Sequence, residues 1–100
     1  PLDIATVARS AAKTGRVLAA HESWAVGGFG AEILAQLREA TPELTDLRMA
    51  RVGARTAPIP FSPQLEPAVV PGVVDLLAAM RRIKDAFDPQ GLFAPGVIWV

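Results

Sequence analysis

His21 is the sole histidine of the chain, and Glu22 stands beside it. The pair closes a short apolar run, Val17-Leu18-Ala19-Ala20, at the end of a strand where open α/β sheets gather ligands. Two chemistries suit an imidazole there, proton transfer and metal ligation. Proton transfer needs a partner in reach, and strand alternation sends Glu22 to the opposite face. Metal ligation needs further soft or imidazole donors, and the sequence holds no second histidine and no cysteine. A hydrogen-bonding or interface role is therefore the expectation for His21. Gly27, Gly28 and Gly30 follow within a few residues and open a helix. Free N–H groups at such a helix start could cradle phosphate. A dinucleotide fingerprint fits poorly, because Ile33 holds the third glycine position and no acid ends the next strand. The glycines are expected to serve positive φ or close approach instead. Ser10, Ser23 and Ser62 lack the context of a nucleophile elbow. Trp24 and Phe29 flank the glycines, as core or as anchors for a partner. His21, Glu22, Trp24, Gly27, Gly28, Phe29 and Gly30 are thus the expected contact surface, with no catalytic, cofactor-binding or metal residue among them.

The elements that must position this surface read as three helices and two strands. Asp3 suits an N-cap, with Ile4, Val7, Ala8, Ala11 and Ala12 on one face behind it. Lys13 suits the helix end, and Gly15 its left-handed stop. The first strand is predicted over 16–21, buried on both faces. The second helix runs from about Gly28 to Ala40, with Gly30, Ile33, Leu34 and Leu37 inward and Glu32, Gln36, Arg38 and Glu39 outward. Thr41 and Pro42 end it. The second strand is predicted over 47–52, parallel to the first through a right-handed crossover. Five prolines from Ala54 through Pro71 mark an extended loop. A third helix begins near Pro71, with Val73, Leu76, Leu77, Met80, Ile83 and Phe87 as its buried stripe. Arg81, Arg82 and Lys84 suit its C-terminal half as a solvated cluster. Turns at Asp88–Gly91 and Pro95-Gly96 lead to Val97–Val100, an edge strand or docking tail.

Length and composition set the bounds. One hundred residues allow one small domain, and half of them are apolar. Ten basic and ten acidic residues cancel, which argues against a nucleic-acid or anionic-membrane surface. No apolar run approaches a membrane span, and no leader pattern is present. Two strands are few for a stable open sheet. The expectation is a piece of a longer chain, its missing strand lying ahead of Pro1 or coming from a partner.

Several blocks carry a resemblance: PLDIATV at Pro1–Val7, KTGR at Lys13–Arg16, His21-Glu22, GGFGAEI at Gly27–Ile33 and PIPFSPQLE at Pro58–Glu66. In this order and spacing they resemble the C-terminal domain of the beta subunit of thiamine-diphosphate-dependent 2-oxo acid dehydrogenases. That domain is transketolase C-terminal-like, a three-layer α/β/α fold with a mainly parallel sheet. The resemblance implies that the chain is a partial copy lacking its first strand. Ser23-Trp24 stand where that family often has Ala-Pro, and Thr56-Ala57 where it usually has Asp-Thr. The last residues, MRRIKDAFDPQGLFAPGVIWV from Met80, resemble instead the C-terminal tail of FAD-linked oxidases. Ala94 and Val97 replace its usual Asn and Lys. The expected organisation is 1–79 as the transketolase-like domain and 80–100 as an oxidase-like helix end and tail.

The resemblance implies an assembly and dimerisation domain, not catalytic alone, of a pyruvate or branched-chain 2-oxo acid dehydrogenase component. Its partners would be an alpha subunit, a second beta subunit and the acyltransferase core, with no nucleic acid and no membrane, in the cytoplasm. Thiamine diphosphate and magnesium would be held elsewhere in that assembly, and no cofactor by this chain alone. The alternatives are a C-terminal fragment of an FAD-linked oxidase, a fusion remnant without activity, or an interaction fragment that does not fold alone.

Overall fold

A computed structural model describes residues 1–87. Helix α1 (Ile4–Thr14) begins where the Asp3 carboxylate accepts the Thr6 N–H at 3.1 Å and the Thr6 hydroxyl at 2.6 Å. It stops at Gly15, whose φ of 68° is a left-handed conformation that lets its N–H reach the Ala11 carbonyl at 2.8 Å. Strand β1 (Arg16–Trp24), helix α2 (Phe29–Ala40) and strand β2 (Arg48–Ala54) follow, and the strands pair in parallel as expected. A 3₁₀ turn at Glu66–Ala68 interrupts the proline-rich loop, and helix α3 (Val73–Phe87) comes last.

The helices α1 and α2 pack on one face of the sheet. Ala11, Leu37 and Leu47 form the centre of that layer, with Ile4, Val7, Ala8, Val17, Leu44 and Met49 against them. Ala12, expected inward, is exposed. Thr41 closes the layer, buried, its hydroxyl donating to the Leu37 carbonyl at 2.7 Å. Arg38, expected outward, is half-buried. Its guanidinium donates to the Leu44 and Leu47 carbonyls at 2.8 and 3.3 Å, tying down the connection into β2. Helix α3 touches neither α1 nor α2; it packs along β2 and more lightly on β1, which places it on the other face.

The structure corrects three expectations. Strand β1 is not buried throughout, since Ala19 is buried but Ala20 is exposed and Val17 and Leu18 are half-buried. Helix α3 begins two residues after Pro71, because the Asp75 carboxylate accepts the Gly72 N–H at 2.8 Å and fixes the start there. Its buried line is Ala79 and Ile83, flanked by the half-buried Leu76 and Met80, while Val73 and Leu77 are exposed. Two strands spaced about 4.8 Å apart are too narrow a floor to cover a wider stripe. The Phe87 side chain and the expected turns and tail over 88–100 lie outside the described residues.

Candidate functional site

The strand register slips beside the histidine. Ala20 pairs with Val52 and Trp24 with Ala54, so three residues of β1 stand opposite Gly53 alone. Such a bulge bends the strand and re-aims its side chains. It turns the His21 ring back along its own strand. Nδ1 lies 2.7 Å from the Ser23 hydroxyl and 3.0 Å from the Ser23 carbonyl. The two contacts belong to opposite tautomers, since Nδ1 accepts from the hydroxyl or donates to the carbonyl. Nε2 is buried and makes no hydrogen bond.

Glycines form the walls around this ring. A β-carbon at Gly28 would overlap the Trp24 carbonyl and stand 2.7 Å from His21 Cε1. One at Gly30 would overlap Nε2 and stand 2.6 Å from Cδ2. One at Gly53 would stand 2.8 Å from Cε1 and equally close to the Ala25 backbone. Gly27 serves a different need, with φ of 72° in open space where the chain turns into α2. Both expected glycine uses, positive φ and close approach, are therefore present, on different residues.

Of the seven expected contact residues, His21, Gly28 and Gly30 meet directly, and the Trp24 backbone joins them. The Trp24 ring leaves the group and donates its Nε1–H to the Ala57 carbonyl at 2.9 Å, fastening the proline-rich loop to β1. That loop is closed at its base by the Arg55 N–H on the Val69 carbonyl at 3.0 Å. Phe29 is exposed, as are Glu22 and Gly27. Sequence reasoning missed Ser23 and Gly53. The two-residue spacing of His21 and Ser23 was the available signal for the first. Nothing local marks Gly53, because its role depends on the bulge across the sheet.

The chemistry of this seat is positional. Nε2 is covered by Gly30 and makes no hydrogen bond, while Nδ1 is engaged by Ser23. Among the described residues no three His, Cys, Asp or Glu side chains gather to hold a metal ion. A cavity of about 250 Å³ lies apart from the seat, between the end of α1 and the connection into β2, lined by Ala11, Leu44, Leu47, Glu43 and Asp46 among others.

The described residues form a small α/β layer with a parallel pair of strands and a glycine-walled histidine. The match to known families agrees: the chain belongs to the family described as transketolase, C-terminal domain, which matches residues 1–76. Residues 74–98 match a second description, FAD linked oxidases, C-terminal domain. Similar proteins include the pyruvate dehydrogenase E1 component subunit beta-2, mitochondrial, of Oryza sativa subsp. japonica, 37% identical over 82% of this chain and 22% of that protein. The pyruvate dehydrogenase E1 component subunit beta of Rickettsia bellii (strain RML369-C) is 31% identical over 83% of this chain and 26% of its own length. The mitochondrial subunit beta of Pisum sativum is 35% identical over 82% of this chain and 23% of itself. The chain spans about a quarter of the length of these relatives.

Proposed function

We propose that the chain serves as the C-terminal assembly domain of the beta subunit of a 2-oxo acid dehydrogenase decarboxylating component. The observation that carries this reading is the match of more than four-fifths of the chain to pyruvate dehydrogenase E1 beta subunits. The surface supports it. Trp24, Val26 and Phe29 are exposed apolar residues around the histidine seat, and Phe61 stands fully exposed on the proline-rich loop. Large apolar side chains held on a fixed backbone make interface anchors. In this reading the parent reaction is oxidative decarboxylation of a 2-oxo acid with acyl transfer to lipoyl groups. The partners are an alpha subunit, a second beta subunit and the acyltransferase core, and the assembly is cytoplasmic. Thiamine diphosphate supplies the decarboxylation chemistry when bound, and it belongs with its magnesium to other parts of the assembly. In this reading the chain contributes surface to the assembly.

The test is co-expression of the chain with an alpha subunit and the N-terminal part of a beta subunit. The expected result is co-purification, lost when Trp24 and Phe29 are both changed to glutamate. Failure of the unaltered set to associate refutes the reading. A second reading, a fragment of an FAD-linked oxidase divided from the rest at 79/80, is favoured by the match over 74–98. Flavin absorbance of the purified parent protein would support it, and a colourless parent would dismiss it.

A further inference from the structure

We infer that the cavity between the end of α1 and the connection into β2 is a binding site for a primary alkylammonium group, the chemistry of a lysine side chain and of a free alkylamine. The inference goes beyond the beta-subunit reading and does not rest on it. The cavity holds about 250 Å³. Drug-sized ligands occupy about 300–1,000 Å³, so this space suits one long side chain or a short amine. Its floor is apolar. Ala11 and Leu47 are 2% and 7% exposed, and Leu44 is half-buried. Its rim is acidic. Glu43 and Asp46 are exposed there, and neither carboxylate is paired among the described residues. The last turn of α1 adds to this field, because the carbonyls at a helix C-terminus carry partial negative charge. Lys13 lies in that turn but does not line the cavity, and none of the described lining residues is basic. A bare metal ion suits this lining poorly, since the side chains of the floor offer it no donor. An ammonium on an alkyl stem suits both parts. The stem covers the floor, and the head stays at the wet rim between the carboxylates. The walls stand in place before any ligand arrives. Arg38 holds the Leu44 and Leu47 carbonyls from behind, and the Arg48 N–H donates to the Gly15 carbonyl at 2.9 Å, joining the connection to the end of α1. A preformed site loses little affinity to ordering.

The experiment is an amide NMR titration of the full 100-residue chain with n-butylammonium chloride at neutral pH. The expected result is saturable shifts confined to residues 11–15 and 43–47. The expected Kd is about 1–10 mM, the range open to so small a ligand. n-Butanol keeps the stem without the charge, and ammonium chloride keeps the charge without the stem. Each should bind about 5-fold more weakly or worse. Glu43→Gln and Asp46→Asn are changes at exposed positions that leave the fold in place, and together they should weaken n-butylammonium by about 5-fold or more. Ala12→Leu keeps both charges, fills the cavity from an exposed helix position and should abolish saturation. Nα-acetyl-lysine amide separates the two sources. Binding equal to that of n-butylammonium assigns the site to the side chain of a partner's lysine, and binding of the free amine alone assigns it to a small alkylamine. The inference is overturned if n-butylammonium gives no saturable shift or shifts centred elsewhere. It is overturned equally if n-butanol binds as tightly, or if the charge-removed or cavity-filled chain binds like the parent. A parent spectrum without amide dispersion also overturns it, since the cavity exists only while α1 packs beside the connection into β2.

Discussion

Gly30→Ala is the sharpest perturbation of the histidine seat. The residue sits at the second position of α2 in ordinary helical backbone, where alanine alone would stabilise by about 1 kcal/mol. Against this stands the ring. A β-carbon at position 30 would overlap His21 Nε2, lie 2.6 Å from Cδ2 and make an ordinary 3.5 Å contact with the Ala19 methyl. The imidazole is a rigid plate held at its far edge by Ser23, so it cannot yield as a flexible chain end would. Overpacking of this kind costs about 1–3 kcal/mol. Expelling the ring costs a further hydrogen bond, about 1 kcal/mol. The net expectation is a destabilisation of about 1–3 kcal/mol, a fall in Tm of about 5–20 °C for a domain of this size. The assay is a double-mutant cycle by thermal and urea denaturation with His21→Ala as the second change. Removing the ring should reverse the sign, so that Gly30→Ala stabilises the His21→Ala background. An unchanged penalty in that background, or a raised Tm in the parent chain, refutes the argument that the glycine exists to make room for the imidazole.

Leu37→Ala should cost about 2–5 kcal/mol in urea denaturation, since Leu37 is fully buried at the centre of the α1–α2 layer. Trp24→Phe keeps an aromatic ring but loses the bond to the Ala57 carbonyl. It should cost about 1 kcal/mol and speed amide exchange across the proline-rich loop, as seen by hydrogen exchange. The Asp3 carboxyl is held below its usual 3.8 by the hydrogen bonds from the Thr6 hydroxyl and N–H. A carboxylate depressed on folding stabilises above its unfolded value and loses that contribution as pH falls through its folded one. Asp3→Ala should therefore lower Tm at neutral pH, with a deficit that shrinks below pH 3.8 in melts run across the acid range.

Helix α1 was legible from Asp3 to Gly15 because both of its ends are set by bonds within a few residues. The parallel pairing was legible from one helix lying between two apolar runs. The His21 seat was only half legible. Gly28 and Gly30 announced a close approach, but its object lies at the end of a strand whose bulge is set by pairing with β2. The face of α3 failed for a similar reason. Period alone gave Val73 and Leu77 the same standing as Ile83, and only the width of the sheet separates them. The prolines foretold an extended loop, whereas its fastening to Trp24 joins positions 33 residues apart and leaves no local trace.

The slipped register at Ala20–Trp24 also constrains what lineages can delete. Removing two residues between them would let the remaining one face Gly53 in a continuous ladder, so backbone hydrogen bonding would welcome the loss. The same excision would abolish the fold-back that parks the imidazole, leaving a void ringed by glycines with nothing to fill it. Indels should therefore avoid this stretch even though part of it is solvent-facing, and a natural shortening there should travel with bulkier residues at positions 28, 30 and 53.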